Sequence, residues 1–325
     1  MEQALVLVAG LVLLVGGAEL LVSGAVHIAQ RFGVSGLLIG LLVGLGTSTP
    51  ELVTSVLASL AGTPGIALGN VVGANVSNML LVLGACALVR PVRVDARSLR
   101  FDGGVVLGSL ALFAVLSALV PLGRPVGALY VALLAAYLAR SWQIERKRPR
   151  EHTAPYERGE AAAEFVPVPA QPRRSTARVV LAFSQVIGGI ALAILGAGWL
   201  VESAVDIARA LAVSESVIGL TLVALGTTLP ELATSVAAAR RRNTDVALGN
   251  VFGSCIYNVL GIAGLAGLIA PTRVPAEIAN FGNPVMVGVA LVMLLLAWTG
   301  YRISRREGAV MLALYAVYVA AIWRV

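Results

Sequence analysis

Two short stretches carry the residues that could do chemistry. Gly46-Thr47-Ser48-Thr49-Pro50-Glu51 lies inside an apolar run from 34 to 60, and Gly226-Thr227-Thr228-Leu229-Pro230-Glu231 inside one from 214 to 239. Each ends in a carboxylate preceded by a proline and hydroxyls. Proline has no N–H and disrupts the helical turn before it, so each run breaks where its polar groups sit. In the first run a half-helix is expected to end near Gly44–Gly46, leaving carbonyls without intrahelical partners. A second half-helix then starts with Thr49 as N-cap, Pro50 as first helical residue and Glu51 as second. A carboxylate at mid-bilayer costs about 2.5–3.5 kcal/mol on insertion scales. Broken backbone is tolerated there only against protein or a wet cavity.

Carbonyls, hydroxyls, the carboxylates of Glu51 and Glu231, and amides on the helix that follows each break make an all-oxygen shell. Such shells suit hard cations, Ca²⁺ taking roughly 6–8 oxygens. The chain has no Cys/His cluster to suit Zn²⁺ or Cu. Two carboxylates carry the charge that one Ca²⁺ or two Na⁺ would neutralise. A site neutralised either way lets one cation displace the other, which is the logic of exchange and needs no nucleotide or cofactor.

The elements that position these groups repeat. At an offset of 180, Val43–Val56 and Val223–Val236 share ten identities in fourteen positions, and Ala67-Leu68-Gly69-Asn70-Val71 returns as Ala247-Leu248-Gly249-Asn250-Val251. Gly73, Asn78, Leu80 and Gly84 return as Gly253, Asn258, Leu260 and Gly264. Ten apolar runs meet or approach the roughly 20 residues a span needs: 4–26, 34–60, 66–89, 103–121, 125–142, 178–205, 214–239, 246–269, 283–300 and 308–323. The expected fold is an all-α integral membrane protein of ten transmembrane helices, arranged as two five-helix repeats, 1–142 and 178–325. An odd number of spans per half makes the repeats inverted, an architecture that places a transport site at their interface near the midplane. Residues 143–177, rich in Arg, Glu, Ala and Pro, bury too little apolar surface to form a domain and read as a mobile linker.

Composition agrees. Hydrophobic residues are 58% of the 325 and charged residues 13%, against about 25% charged in soluble domains. The net charge of +7 falls in loops beside apolar runs and points to topology, not to nucleic acid. With the linker cytoplasmic, twenty of the 24 basic residues lie inside and four outside, which puts both termini outside a plasma or inner membrane. The first run lacks a basic n-region and reads as a span, not a cleaved leader. Cys86 and Cys255 sit in apolar runs, against a disulfide framework. No nucleophile, metal pair or cofactor motif marks an enzyme, and no obligatory protein partner is evident. The partners expected are inorganic cations and the bilayer.

Gly-Thr-Ser/Thr-x-Pro-Glu-Leu followed by Thr-Ser, with Ala-Leu-Gly-Asn-Val-x-Gly and an Asn five residues later, resembles the two alpha-repeats of the Ca²⁺/cation antiporter superfamily, and most of all the prokaryotic sodium/calcium exchangers. The resemblance covers all ten spans. It implies Thr47, Ser48 and Glu51, with Thr227, Thr228 and Glu231, as cation ligands. It adds the carbonyls of Gly44 and Ala224, the amides of Asn78 and Asn258, and the Ser254 hydroxyl, whose first-repeat counterpart is Ala74. It also implies Na⁺-driven Ca²⁺ export by alternating access, with spans one and six sliding over the rest. Some members have an acid where this chain has Asn78 or Asn258, and K⁺-dependent relatives link that acid to K⁺, so K⁺ independence is expected. Ala74 removes a hydroxyl that resembles a Na⁺ ligand, which keeps open one fewer Na⁺ site or H⁺ in place of Na⁺; another divalent cation in place of Ca²⁺ is a separate alternative.

Plainer explanations stand beside these. A carboxylate can stabilise a helix N-terminus, Thr47 and Thr227 can bond back to their own helix, and Asn70 and Asn250 can serve as packing glue. Glu19 and Glu202 lie toward the ends of spans one and six, where snorkelling, or pairing with Arg31 or Arg209, accounts for them. His27 is read in a loop and His152 in the linker. A channel with the same ligands is the less favoured reading.

Overall fold

The architecture comes from a computed structural model that describes residues 2–31, 46–147, 176–240, 242 and 244–324. The chain runs through α1 (Glu2–Arg31), α2 (Thr49–Leu60) and α3 (Pro64–Val89), which carries a π-helical turn at Asn78–Val82. A short strand β1 (Val92–Arg93), α4 (Ala96–Leu119) and α5 (Arg124–Lys147) follow. After α6 (Thr176–Ala210), α7 (Glu215–Thr227) and α8 (Leu229–Arg240) meet at a bend of 45°. Then α9 begins as Thr244–Ile256, passes a π-helical turn at Tyr257–Ala263 and ends as Gly264–Ile269. A π-helical turn at Ile278–Gly282 leads into α10 (Asn283–Trp298), followed by β2 (Arg302–Ile303) and α11 (Arg305–Ile322).

Local chemistry sets the boundaries. The Asp95 carboxylate accepts from the N–H groups of Arg97 and Ser98, so α4 starts seven residues before its apolar run. Ser304 and Glu307 form a reciprocal capping box that opens α11, satisfying two of the donors a helix start leaves over. The segment read as a linker from 143 is helical through Lys147, since Gln, Glu, Arg and Lys are good helix formers where water is at hand. It resumes as helix at Thr176, and 148–175, with His152, lie outside the described residues.

Among the described residues seven helices are long and apolar enough to cross a membrane, or eight if the bent pair α7–α8 is one span. The chain is a multi-pass membrane protein. Of the ten apolar runs, the second is described only from Gly46, and the last, α11, carries Arg305, Arg306 and Glu307 in its first turn. Large apolar side chains such as Leu5, Val12, Ile187 and Leu295 face outward on the long helices, as lipid contact requires. α3 and α9 instead are buried around most of their circumference. Apart from a few buried Asn and Ser side chains they are apolar all round, the pattern of a helix enclosed by others.

Two close helix pairings frame the interior. α1 and α6 run antiparallel, with Gly10, Gly17 and Gly24 against Gly196, Ala193 and Ala182; a methyl on Gly17 would lie 2.5 Å from the Ala193 nitrogen. α3 and α7 approach as closely, since a methyl on Gly65 would lie 2.8 Å from the Ser216 nitrogen and one on Gly69 2.9 Å from that of Leu220. Extended backbone pairs in two places. β1 and β2 are antiparallel, with Val92 opposite Ile303 and Arg93 opposite Arg302, and an isolated bridge joins Leu122 to Thr272. Thr272 lies 180 residues after Val92, and Leu122 the same number before Arg302.

Candidate cation site

The helix breaks are centred on Ser48 and Thr228. Pro50 and Pro230 cannot donate to the carbonyls four residues back, at Gly46 and Gly226, so the ladder fails between them. Gly46 and Thr47 are still helical, and the N-cap of α2 is Ser48 (φ −90°, ψ 13°). This corrects the expectation of Thr49 as cap and Glu51 as second helical residue: Thr49, Pro50 and Glu51 are the first, second and third. The reason is visible in the partner of Ser48, whose side chain makes no capping bond. Its hydroxyl donates instead to Glu231 Oε1 at 3.1 Å. In the second half α7 ends at Thr227, and the Thr228 hydroxyl turns back to the Ala224 carbonyl at 2.7 Å.

That Ser48–Glu231 bond brings the two breaks together. Glu51 and Glu231, each in the first turn of its half-helix, are fully buried, as are Ser48 and Thr227, with Thr228 nearly so and Thr47 half-buried. The positive end of each half-helix faces inward beside its own carboxylate. The Thr227 hydroxyl has two acceptors in reach, Asn70 Oδ1 at 2.9 Å and the Ala224 carbonyl of its own helix at 3.3 Å. The Ala224 carbonyl also accepts from the Thr228 N–H at 3.1 Å. Gly44 lies outside the described residues.

Asn78 opens the π-helical turn of α3, and Asn258 is the second residue of the one in α9. Such turns re-aim side chains and recur at functional sites. Both residues are fully buried, and among the described residues neither amide oxygen nor nitrogen of either has a hydrogen-bond partner. The Ser254 hydroxyl is buried in the same state, while Ala74 in the corresponding place offers none. An unsatisfied buried polar group costs about 1–3 kcal/mol, so a cluster of them points to something other than protein as the partner. Hard cations, or water around them, meet that need through oxygen. Among the described residues no three His, Cys, Asp or Glu side chains converge.

Asn70 and Asn250 tie each half-helix to the helix that follows it. The Asn70 amide nitrogen donates to the Glu51 carbonyl at 3.3 Å and to Ser55 Oγ at 3.0 Å; that of Asn250 donates to Ser235 Oγ at 2.8 Å and Thr234 Oγ1 at 3.2 Å. Other expectations need correcting. His27 is inside α1, its Nδ1 2.7 Å from the Ser23 carbonyl, because the first helix continues past its apolar stretch. Glu19 and Glu202 are exposed, and Arg209 pairs with Asp206 at 3.8 Å, one turn away on its own helix. Arg31 has no described side chain.

One buried acid escaped the sequence reading. Asp102 on α4 is fully buried and accepts from Ser98 Oγ at 3.0 Å and the Tyr137 hydroxyl at 2.7 Å. Its signal was there, an acid beside Phe101 at the edge of an apolar run, but the run was taken to begin one residue later.

Comparison with known proteins agrees with this geometry. The model of the family described as sodium/calcium exchanger protein matches residues 2–143 and 181–324. The sodium/calcium exchanger MaX1 of Methanosarcina acetivorans is 35% identical over 343 residues, covering 98% of each chain. The inner membrane protein YrbG of Escherichia coli is 35% identical, covering 90% of this chain and 87% of its own. A solved structure of the sodium-calcium exchanger NCX_Mj, soaked with Na⁺ and Sr²⁺, superposes with a TM-score of 0.60 at 31% identity, over 98% of this chain and 97% of that one. The chain therefore belongs to the sodium/calcium exchanger family, a family of transporters and not of enzymes.

Proposed function

We propose that the protein exchanges Ca²⁺ for Na⁺ across the cell membrane at a site shared by Glu51 and Glu231. The observation that carries this is the buried bond from Ser48, at one helix break, to the carboxylate of Glu231 at the other. Around it, Thr47, Thr227, Thr228, Asn78, Asn258, Ser254 and the carbonyls of Gly44 and Ala224 serve as further ligands. The unpartnered amides of Asn78 and Asn258 and the Ser254 hydroxyl support that role. Ca²⁺ and pairs of Na⁺ bind alternately, because either neutralises the two carboxylates. The family and the exchangers it resembles support the same pair of ions.

The full architecture is ten spans in two inverted halves, 1–142 and 178–325, joined by a cytoplasmic segment, with both termini outside. The β1–β2 pairing, Val92 with Ile303 and Arg93 with Arg302, falls within one residue of the Leu122/Thr272 bridge under a shift of 180 and supports the duplication, and the basic residues support the orientation. Access alternates as α1 and α6, sealed to each other through their glycines, slide as a unit over the buried α3–α9 core. Under an inward Na⁺ gradient the net movement is Ca²⁺ export.

The decisive experiment is uptake of radiolabelled Ca²⁺ into vesicles of reconstituted protein, driven by a Na⁺ gradient and, separately, by a pH gradient, with Glu51→Gln beside the wild type. Uptake against a Ca²⁺ gradient that follows Na⁺ and is lost in Glu51→Gln supports the proposal. Uptake that follows only the pH gradient replaces Na⁺ with H⁺, a reading favoured by the missing hydroxyl at Ala74. Flux that never runs uphill makes the protein a channel.

A further inference from the structure

Asn70 is fully buried, lies on α3 outside the ligand set above, and spends its amide on both halves of the chain at once. Its nitrogen donates to the backbone carbonyl of Glu51 at 3.3 Å and to Ser55 Oγ at 3.0 Å. Its oxygen accepts from the Thr227 hydroxyl at 2.9 Å, 157 residues away. The carbonyl of Glu51 can only accept, so the group facing it must be the amide nitrogen, and that turns Oδ1 toward Thr227.

The consequence falls on a single proton. Thr227 has one hydroxyl hydrogen and two acceptors in reach, Asn70 Oδ1 at 2.9 Å and the Ala224 carbonyl at 3.3 Å. Sent to Ala224, the hydrogen would occupy one proposed ligand and aim the other away from a cation. Sent to Asn70, it leaves the Thr227 lone pairs free for the ion and spares the Ala224 carbonyl a third donor beside the Thr228 N–H and hydroxyl. The corresponding amide of the other half differs, since among the described residues Asn250 Oδ1 has no hydrogen-bond partner.

We propose that Asn70 is a positioning residue for cation binding: it draws the Thr227 proton away from the Ala224 carbonyl and locks that polarity to the backbone of Glu51. The inference rests on the exchanger reading given above, and acts through Thr227 without Asn70 touching the ion. The same amide ties the start of α2 in one half to the break between α7 and α8 in the other, so a change at one carboxylate reaches the other half through one hydrogen-bonded side chain.

The test is a double-mutant cycle on full-length protein in vesicles, with Asn70→Leu, Thr227→Val and the pair together. Half-saturating Ca²⁺ and maximal rate are read separately, and melting temperature is read alongside. Each single change is expected to raise half-saturating Ca²⁺ about tenfold, and the pair to resemble either one within about twofold, since partners in one network are not additive. Asn70→Leu with wild-type half-saturation overturns the proposal, and so do effects that multiply in the pair. If Asn70→Leu is not recovered folded, Asn70→Ser, too short to reach Thr227, is read against the same outcomes. If neither folds, Asn70 is a structural residue only and the proposal fails. Glu51→Gln run in parallel separates the two levels: if it too transports like wild type, the exchanger site itself is wrong.

Discussion

The hydroxyl of Ser48 donates to Glu231 Oε1 across 3.1 Å, although 183 residues separate them in the chain. A hydroxyl that caps no helix and instead faces a buried carboxylate from the opposite half stands at the meeting point of the two breaks. Hydrogen bonds to charged groups contribute about 1.5–3 kcal/mol. Ser48→Ala is therefore expected to weaken apparent Ca²⁺ affinity roughly tenfold or more, while Ser48→Thr, which keeps the donor, stays within a few-fold. Ca²⁺ titration of uptake rates checks both.

Bound cation should stabilise the fold. A ligand at about 100 times its Kd adds about 2.7 kcal/mol to the stability of the state that binds it. Saturating Ca²⁺ is expected to raise the melting temperature of purified protein, and chelation to reverse the gain. In Glu51→Gln and Glu231→Gln the gain should vanish. A full Ca²⁺ shift retained in both variants would remove these carboxylates from the site.

The seam between α1 and α6 admits no side chain at Gly17, where a methyl would lie 2.5 Å from the Ala193 nitrogen, whereas at Gly16 nothing lies within 4 Å. Overpacking of this kind costs about 1–3 kcal/mol. Gly17→Leu is expected to lower the melting temperature and slow uptake, with Gly16→Ala close to wild type in both. Equal behaviour of the two would mean that the seam is not packed as described.

Ala74 is buried where the second half has the Ser254 hydroxyl. Ala74→Ser supplies one more oxygen beside the site and is expected to lower half-saturating Na⁺ a few-fold, with Ser254→Ala moving it the other way. Na⁺ dependence of Ca²⁺ uptake measures both directions.

Asp102 is held by Ser98 and by the Tyr137 hydroxyl at 2.7 Å. Tyr137→Phe removes one donor from a buried carboxylate and is expected to cost about 1–3 kcal/mol. The loss should appear in thermal melting in detergent, with half-saturating Ca²⁺ unchanged. A shift in Ca²⁺ affinity without loss of stability would instead connect Asp102 to the transport site.

Much of this protein was legible from spacing alone. Prolines and carboxylates inside apolar runs announced the broken helices, since hydrocarbon tolerates neither a missing hydrogen bond nor a bare charge without a reason. The recurrence at an offset of 180 picked out the two helix breaks as counterparts, because like surroundings demand like residue types at like spacing. The caps at Asp95 and Ser304 are as local, a side chain answering donors only two or three residues away, but the one cap expected from the sequence, Thr49, moved to Ser48. What the tertiary structure alone decided are the partners. The hydroxyl of Ser48, the N-cap residue of its own helix, turned to the Glu231 carboxylate, Thr227 reached Asn70, and Asp102 found Tyr137 35 residues on. A buried polar atom takes whichever complementary group the packed helices bring within about 3 Å, and that distance depends on the crossing of helices far apart in the chain, which no local pattern of residues encodes.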